Sequence, residues 1–416
     1  MSGKALAAGP SPETTSNTMN LLFLSMTFPD ALNRARGSYN LALCRALAKS
    51  HRVQVCSPRP WPEMLRMKLR GKSFAPGSDV LDSGLTAQYP TYWYAPKLTQ
   101  KQSGQILWQS CSRTVMSQAR RARPDVVLSY WAHPDGEAGL RAARATGAAA
   151  AVIVGGTDAL ILPHRPGRGP YVRRVLTESE TVFTVSEGLK NVVVDLGANP
   201  DNVHVMYQGV DPNLFHPGDP RAARRTLGLS VAKPMLLWVG RMVDIKRLDV
   251  LLEACRILKS QDREFDLYLV GDGELRASTE SHIARAGLGD MVHCVGSVPY
   301  AQTAQWYRAA DVTVLCSDSE GLPNVLRESL ACGTPFVSTN VGSISEIADP
   351  SYSILTRKAD AGELADALAT ALDGRLRQAA QQYEARTWDD CAAEVTRVLT
   401  RSGRTAPVVR ELEAVG

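Results

Sequence analysis

Short apolar runs alternate along this chain with longer segments whose apolar residues recur at helical spacing. The first run, residues 21–24, predicts a strand, and a loop follows over 25–37. Residues 41–51 then carry a helical pattern, and residues 53–56 predict a second strand. Strand, loop, helix and strand in this order predict a βαβ unit, whose two strands lie parallel in one sheet.

The same alternation continues towards the C-terminal end, with a break at a stretch rich in proline and glycine around residues 215–220. Short strands that are apolar on both faces are typical of a parallel sheet covered by helices on each side. Before the break we predict strands at 126–128, 149–154, 182–185 and 203–206 and a helix at 137–146; after it we predict strands at 235–239, 267–270, 292–295, 312–315 and 335–338 and helices at 251–258, 361–372 and 392–399.

Two doubly wound α/β domains account for this pattern, and we predict that they face a central cleft. The predicted bounds are 19–216 for the N-terminal Rossmann-like domain and 217–388 for the C-terminal one. Residues 1–18 are small and polar and are expected to form a flexible tail. Residues 389–416 are expected to form a helix that packs back on the N-terminal domain, followed by a frayed end.

The composition of the 416 residues, 44% hydrophobic and 21% charged, is that of a soluble globular protein. A net charge of only +5 does not indicate nucleic-acid binding. The sequence has neither a run of the roughly 18–20 apolar residues of a membrane span nor the cationic start of a signal peptide. The eight cysteines lack metal-site spacing, so we expect free thiols in a reducing, cytoplasmic compartment.

Two cations follow the predicted strand at 235–239. Gly240 ends that strand, Arg241 comes next, and Lys246 lies in the following loop or first helical turn. The planar fork of an arginine and the mobile charge of a lysine together suit a pyrophosphate group. The alternative is that both cations are simply solvated.

Two acids follow the predicted strand at 312–315. Gly321 permits a tight turn, and Pro323 suits the first turn of a helix, whose N-terminus attracts anions. Glu320 precedes this helix and Glu328 lies inside it, so one acid can bind sugar hydroxyls and the other ribose hydroxyls. The alternative is a surface helix with two solvated acids.

The combination of these segments resembles the signature of the retaining family 4 glycosyltransferases, which have the GT-B fold. Three segments carry the resemblance, in this order: Gly240 and Arg241 with Lys246; residues 270–275; and Glu320 and Glu328 followed by residues 329–337. The resemblance covers residues 19–399 and is strongest over 238–346.

The resemblance implies an acceptor-binding N-terminal domain and a donor-binding C-terminal domain. It places Arg241 and Lys246 on the diphosphate of a nucleotide-sugar donor, Glu320 on the transferred sugar and Glu328 on the ribose. Arg241, Lys246 and Glu320 are the implied catalytic residues. Further donor contacts are implied for Gly37, Gly240, Ser297, Val298, Gly321, Leu322, Pro323, Asn324 and Val325.

The sequence departs from the family pattern at two places on the N-terminal side. Only Gly37 remains of a usual glycine pair. Gly155 stands where relatives commonly have a histidine close to the reacting sugar. Either another group fills that space, for which His133 is the candidate, or none is needed. We name His133 and Asp158 as candidate acceptor-side residues.

The function implied by the resemblance is a retaining transfer from a UDP-sugar, or alternatively a GDP-sugar, to a hydroxyl of a saccharide or lipid-linked acceptor in polysaccharide or glycolipid synthesis. We expect no metal and no other cofactor, because Arg241, Lys246 and a helix N-terminus can neutralise the diphosphate. Two alternatives are a nucleotide-sugar epimerase of the same fold and a catalytically silent sugar-binding subunit.

Residues 60–74 are a candidate membrane contact. Four cations there alternate with apolar residues at every second position, which makes a poor amphipathic helix, so a solvated loop is expected. The alternative is a cationic, partly apolar segment that rests on anionic lipid at the inner face of the cell membrane. The cations are Arg66, Lys68, Arg70 and Lys72, and the apolar residues are Leu65, Met67 and Leu69.

Overall fold

Parallel strands and the helices that connect them make up both halves of the chain. The computed structural model describes residues 18–34, 36–95 and 103–403. The elements before the connection at 206–219 are β1 (Asn20–Leu24), α1 (Ser38–Ala48), β2 (Arg52–Cys56), β3 (Arg59–Pro60), α2 (Trp61–Leu69), α3 (Ser78–Leu81), β4 (Thr86–Gln88), β5 (Thr91–Tyr92), α4 (Ser103–Arg121), β6 (Val126–Tyr130), α5 (Glu137–Thr146), β7 (Ala149–Val154), α6 (Thr157–Leu160), α7 (Gly169–Glu178), β8 (Thr181–Thr184), α8 (Glu187–Asp195) and β9 (Val203–Val205).

The second half repeats the alternation of strand and helix. Its elements are α9 (Pro220–Thr226), β10 (Met235–Val239), α10 (Leu248–Ser260), β11 (Asp266–Val270), α11 (Arg276–Arg285), β12 (Val292–Gly296), α12 (Tyr300–Ala309), β13 (Val312–Leu315), α13 (Asn324–Ala331), β14 (Phe336–Thr339), β15 (Ser353–Thr356), α14 (Ala361–Ala371), α15 (Arg377–Ala380) and α16 (Trp388–Gly403).

Each half contains one large parallel sheet, as predicted for a doubly wound α/β fold. The first sheet has seven strands in the order β4-β2-β1-β6-β7-β8-β9, and the second has six in the order β12-β11-β10-β13-β14-β15. The strand order reverses between β1 and β6 and again between β10 and β13. Ligands of such sheets bind beyond the carboxyl ends of the strands at this reversal.

The cores explain why the short apolar runs form central strands. Every residue of β6 is buried, and so are Leu21–Leu24 of β1 and the first four residues of β10. In strands covered on both faces, apolar side-chain area is removed from water on each side. This burial favours continuous rather than alternating hydrophobic runs. Exposed polar residues such as Arg241 therefore come only after the ends of these strands.

The last described helix, α16, packs on the first half of the chain. Cys391, Val395 and Leu399 belong to the same apolar core as β1 and α1. An ion pair of 2.6 Å joins Asp389 to Lys49 at the edge of this contact. Residues 1–17 of the predicted tail, and the predicted frayed end beyond 403, lie outside the described residues.

The segment at 60–74 differs from the loop that we predicted, because residues 61–69 form helix α2. Its Glu, Met, Leu, Arg and Lys residues are good helix formers, and this propensity decides the conformation although none of its residues is buried. The indole nitrogen of Trp61 donates to the Tyr94 carbonyl at 2.7 Å and fixes the start of the helix. Neither α2 nor any other described helix has the length and apolar character needed to cross a membrane.

Candidate active site

The strand-order reversals of the two sheets bring loops from both halves to one cleft. The loops after β1, β6 and β7 form one wall, and the loops after β10 and β13 form the other. The walls touch at glycines: a Cβ on Gly321 would lie 2.9 Å from the Gly155 carbonyl oxygen and 3.6 Å from the Gly156 Cα. Any side chain at 321 would therefore push the two walls apart.

A second contact closes the cleft at its side. The Glu346 carboxylate accepts hydrogen bonds from the backbone amides of Glu187 and Gly188, at 2.9 and 2.8 Å, at the start of α8. These amides are unpaired within a helix, and the negative charge also suits the helix dipole. The Ser343 hydroxyl donates to the Ser186 hydroxyl at 2.8 Å beside them.

Lys246 and Glu320 meet across the carboxyl ends of β10 and β13. The Lys246 ammonium donates to a Glu320 carboxylate oxygen at 2.5 Å, and both side chains are largely buried. Arg241 is exposed and forms no ion pair or side-chain hydrogen bond with the residues that the structure describes. One cation is thus held beside the acid, and the other is available to a ligand.

The Glu320–Gly321 turn is held by backbone contacts. Ser343 donates its amide to the Gly321 carbonyl at 3.0 Å. Gly342 has a φ of +59°, and a Cβ there would lie only 1.9 Å from the Glu320 carbonyl oxygen, so only glycine fits. Asp318, just before the turn, pairs with Arg247 at 3.1 Å. The acid is therefore presented from a rigid loop.

The glycines at 271 and 273 allow the strand-end loops to pack closely. A Cβ on Gly271 would lie 1.8 Å from the Gly240 carbonyl oxygen, and one on Gly273 would lie 2.4 Å from the Met242 carbonyl oxygen. The Met242 amide in turn donates to the Asp272 carbonyl at 3.0 Å. These close contacts fix the backbone on either side of Arg241.

Glu328 is buried in α13 and is bound by two tyrosines. The Tyr300 and Tyr307 hydroxyls donate to its two carboxylate oxygens at 2.9 and 3.0 Å. Burial raises the pKa of Glu328, while the two hydroxyl donors and the nearby Arg327 charge lower it. Tyr300 is partly exposed, so its hydroxyl is the one that a ligand at this carboxylate could displace.

The other residues implied for the donor lie in the segments after β1, β10, β12 and β13. Gly37 has a φ of +63° and precedes α1, with the space for a Cβ blocked by the Thr27 carbonyl oxygen at 2.3 Å. Ser297 is exposed after β12, and Val298 is partly buried. Gly240, Leu322, Pro323, Asn324 and Val325 lie in the loop after β10 or at the start of α13.

The two acceptor-side candidates are both buried side chains. His133 is fully buried and stacks on Tyr171 at 5.5 Å, and burial lowers its pKa to about 4. Asp158 is also fully buried, and its carboxylate accepts the amides of Ala132 and Gly156, each at 2.9 Å. Asp158 is held by these amides and His133 by its ring contact, and the acceptor contacts that we named for both residues stay predictions.

The space beside Gly155 is filled by residues from the end of β6. A Cβ on Gly155 would lie 2.6 Å from the Tyr130 hydroxyl and 3.3 Å from the Trp131 indole nitrogen. The candidate that we named for this space, His133, is not among these nearest atoms. Sequence reasoning missed Tyr130 and Trp131, although they end a strand at a cleft loop as Arg241 does.

Gly155→Ala is expected to destabilise the protein by about 1–3 kcal/mol, because the new methyl group overlaps the Tyr130 hydroxyl. Adding Tyr130→Phe to that variant removes the overlapping atom and should recover part of the loss. Urea denaturation of the single and double variants measures both effects. A Gly155→Ala variant as stable as the unmodified protein would show that the space is not filled.

Family models match both halves of the chain. The model described as Glycosyltransferase Family 4 matches residues 37–214, and the model described as Glycosyl transferases group 1 matches residues 220–388. A D-inositol 3-phosphate glycosyltransferase 2 of Catenulispora acidiphila is 38% identical over 223 residues, which are 50% of this chain and 52% of that protein. The aligned part spans only about half the length of the first curated relatives, from 50 to 61%.

Solved structures of similar fold cover nearly the whole chain. The sucrose-phosphate synthase of Thermosynechococcus elongatus has a TM-score of 0.76 at 18% identity, covering 94% of this chain and 100% of that one. HepE of Anabaena, solved with UDP and glucose, has a TM-score of 0.71 at 17% identity, covering 92% and 100%. Together with the matches of both halves to the family models, these likenesses show that the chain belongs to the GT-B glycosyltransferases of family 4 and group 1.

Proposed function

We propose that this protein is a retaining glycosyltransferase that takes a sugar from a nucleotide diphosphate sugar without a metal ion. The observation that carries the proposal is the Lys246–Glu320 ion pair at the strand-order reversal of the second sheet, with Arg241 exposed just after β10. Two cations and one acid at a ligand-binding strand edge fit a sugar joined to a diphosphate.

The diphosphate would lie between the two cations and the start of α13. Lys246 carries a charge already oriented by Glu320, and Arg241 has a fork of donors that the described part of the fold leaves unused. The first backbone amides of α13, with their dipole, add a third source of positive potential. These groups neutralise a diphosphate with protein charges, so the proposed site needs no metal.

In the proposed mechanism the bond from the sugar to the diphosphate breaks first, and an oxocarbenium-like sugar forms. The acceptor hydroxyl attacks from the same face, the leaving diphosphate takes its proton, and the configuration at the anomeric carbon is kept. Stabilisation of the diphosphate charge is then the main catalytic effect. Glu320 would hold the sugar hydroxyls from the turn before α13.

The nucleotide would extend along α13 towards Glu328, whose carboxylate is placed to bind ribose hydroxyls. Ser297 and Val298, after β12, would border the base. UDP-sugars are the favoured donors and GDP-sugars the alternative. The acceptor is proposed to be a hydroxyl of a saccharide or of a lipid-linked sugar, in the synthesis of a polysaccharide or glycolipid.

The proposal is tested by incubating the purified protein with UDP-, GDP- and ADP-hexoses in a chelator and measuring release of the nucleoside diphosphate. Slow hydrolysis of one donor class without an acceptor is the expected result. Accumulation of an epimerised sugar nucleotide instead would favour an epimerase. If the protein binds none of the nucleotides tested, a catalytically silent subunit is favoured.

We also propose that helix α2 contacts anionic lipid at the inner face of the cell membrane. Its outer surface exposes Leu65 and Leu69, at 48% and 79% of their area, among cationic residues. A groove of about 320 Å³ beside it combines Arg66 and Arg70 with apolar side chains. Exposed apolar residues flanked by cations are what an interfacial helix requires.

Neutralising Arg66, Lys68, Arg70 and Lys72 to glutamine is expected to weaken binding to phosphatidylglycerol vesicles by about 10²–10³-fold in a co-sedimentation titration, since each cation near an anionic surface contributes about 1 kcal/mol. A matched control neutralises four exposed arginines on and after α4, at 113, 120, 121 and 123. Equal loss in both variants would indicate a general charge effect and would contradict a contact through α2.

A further inference from the structure

The atoms nearest to the missing side chain at Gly155 are a phenol oxygen and an indole nitrogen, at 2.6 and 3.3 Å from the Cβ position. Both belong to the C-terminal end of β6, which borders the strand-order reversal of the first sheet. The two groups differ in whether they already have hydrogen-bond partners.

The Tyr130 hydroxyl is held by neighbouring polar groups. Tyr130 is only 6% exposed, and the Gln208 amide donates to its hydroxyl at 3.4 Å. Gln208 in turn accepts hydrogen bonds from Arg327, on α13. The ring of Tyr39 packs on that of Tyr130, with their centroids 5.1 Å apart. The Tyr130 hydroxyl is therefore already hydrogen-bonded within a buried network that links the two walls through Gln208 and Arg327.

The Trp131 indole N–H has no hydrogen-bond partner among the residues that the structure describes. Its side chain is partly exposed, and its nitrogen is not one of the buried polar atoms without a partner. A tryptophan N–H normally finds a partner when it is buried. This donor is thus open to the cleft and available to a ligand.

The backbone of Trp131 is held in a conformation that bulky residues rarely adopt, with a φ of 81°. Three hydrogen bonds around it fix this conformation. The Trp131 amide donates to the Ile153 carbonyl at 2.9 Å, the Gly136 amide donates to the Trp131 carbonyl at 2.8 Å, and the Ala132 amide donates to Asp158 at 2.9 Å. Strained residues that the surrounding fold determines in this way cluster at ligand sites.

We propose that the Trp131 indole N–H donates a hydrogen bond to a hydroxyl of the transferred sugar. The proposal rests on the function proposed above. Gly155 touches Gly321, and Glu320 immediately precedes Gly321, so the indole and this acid lie on opposite walls at the same point of the cleft. A sugar between them meets a hydrogen-bond acceptor on one side and a donor on the other.

The chemistry of this donor differs from that of a histidine at the same place. An indole N–H is a donor only and keeps its proton at any physiological pH, whereas an imidazole changes charge near neutrality. Recognition of the sugar from this wall is therefore independent of pH. It also supplies no group that can move a proton, which agrees with a mechanism in which the diphosphate takes the acceptor proton.

The test compares binding of a nucleotide sugar with binding of its nucleoside diphosphate by isothermal titration calorimetry. The probes are UDP-glucose with UDP and GDP-mannose with GDP, and the pair used is the one that the unmodified protein hydrolyses. Trp131→Phe keeps the aromatic ring and removes the N–H. Trp108→Phe, a partly buried tryptophan on α4 outside the cleft loops, is the matched control.

Trp131→Phe is expected to bind the diphosphate as the unmodified protein does and to lose about 3- to 10-fold in affinity for the nucleotide sugar, the effect of one hydrogen bond. The fold-loss in affinity for the nucleotide sugar should be the same in assays from about pH 6 to about pH 8. Trp108→Phe should show no loss. Equal affinities in Trp131→Phe and the unmodified protein, or equal losses for both ligands, would overturn the indole contact alone. No binding of any probe by the unmodified protein would overturn the proposed function and this inference together.

Discussion

Replacement of Lys246 or Arg241 by alanine is expected to lower kcat for nucleotide-sugar turnover by about 10²–10³-fold, the loss typical of one group that stabilises developing charge. Lys246→Ala also leaves the Glu320 carboxylate, 12% exposed, without its partner beside the diphosphate. Arg241→Ala removes a side chain with no ion pair among the described residues, so it should lower kcat without lowering the melting temperature.

Arg263→Ala is the matched control for both variants. Arg263 is exposed and precedes β11, at the opposite edge of the sheet from the cleft, so its loss should change neither kcat nor stability. Steady-state kinetics and thermal melts of the three variants separate catalysis from folding. Near-normal turnover in either Arg241→Ala or Lys246→Ala would contradict the assignment of these cations to the diphosphate.

Replacement of Glu320 and of Glu328 by glutamine is expected to affect different steps, turnover in the first case and nucleotide binding in the second. Glu328→Gln should weaken binding of the nucleoside diphosphate by about 10- to 100-fold, because hydrogen bonds to a charged group are lost. Glu320→Gln should instead lower kcat and leave affinity for the nucleoside diphosphate unchanged, since that ligand has no sugar. Isothermal titration calorimetry measures the affinity of each variant for the nucleoside diphosphate, and steady-state kinetics measures its kcat.

The pH dependence of nucleotide binding provides an internal check on Glu328. Burial raises the pKa of this carboxyl, and the ionised form is the one that accepts ribose hydroxyls, so affinity should fall as the pH falls through the raised pKa. That dependence should be absent in Glu328→Gln.

Tyr300→Phe frees one carboxylate oxygen of Glu328, and this variant should bind the nucleoside diphosphate at least as tightly as the unmodified protein. A weaker Tyr300→Phe would contradict competition between Tyr300 and ribose.

The positions of the strand ends could be predicted from the sequence because they depend on the hydrophobicity of neighbouring residues. Buried parallel strands give continuous apolar runs, and the first polar residues after such a run must lie at the carboxyl edge of the sheet. Residues 240–246 and 317–328 were located in this way. The structure brings Lys246 and Glu320 into contact there, although no pattern in the sequence pairs them.

Contacts between distant segments could not be predicted from the sequence. Tyr300 and Tyr307 meet Glu328 only because α12 packs on α13, and no spacing encodes that. Similarly, the group beside Gly155 is decided by how the end of β6 packs against the loop after β7, and this packing places Tyr130 and Trp131 there rather than His133. For α2, residue propensity decided the conformation and the apolar periodicity did not.

The configuration of the product formed from the preferred donor in a chelator tests the central claim most directly. Methanol serves as a surrogate acceptor, because a methyl glycoside does not interconvert between anomers after it forms. Proton NMR of the product should show the same anomeric configuration as the donor, at a rate that the chelator does not change. An inverted methyl glycoside, or a reaction that stops in the chelator and resumes with a divalent metal, would contradict a retaining, metal-independent transfer at Arg241, Lys246 and Glu320.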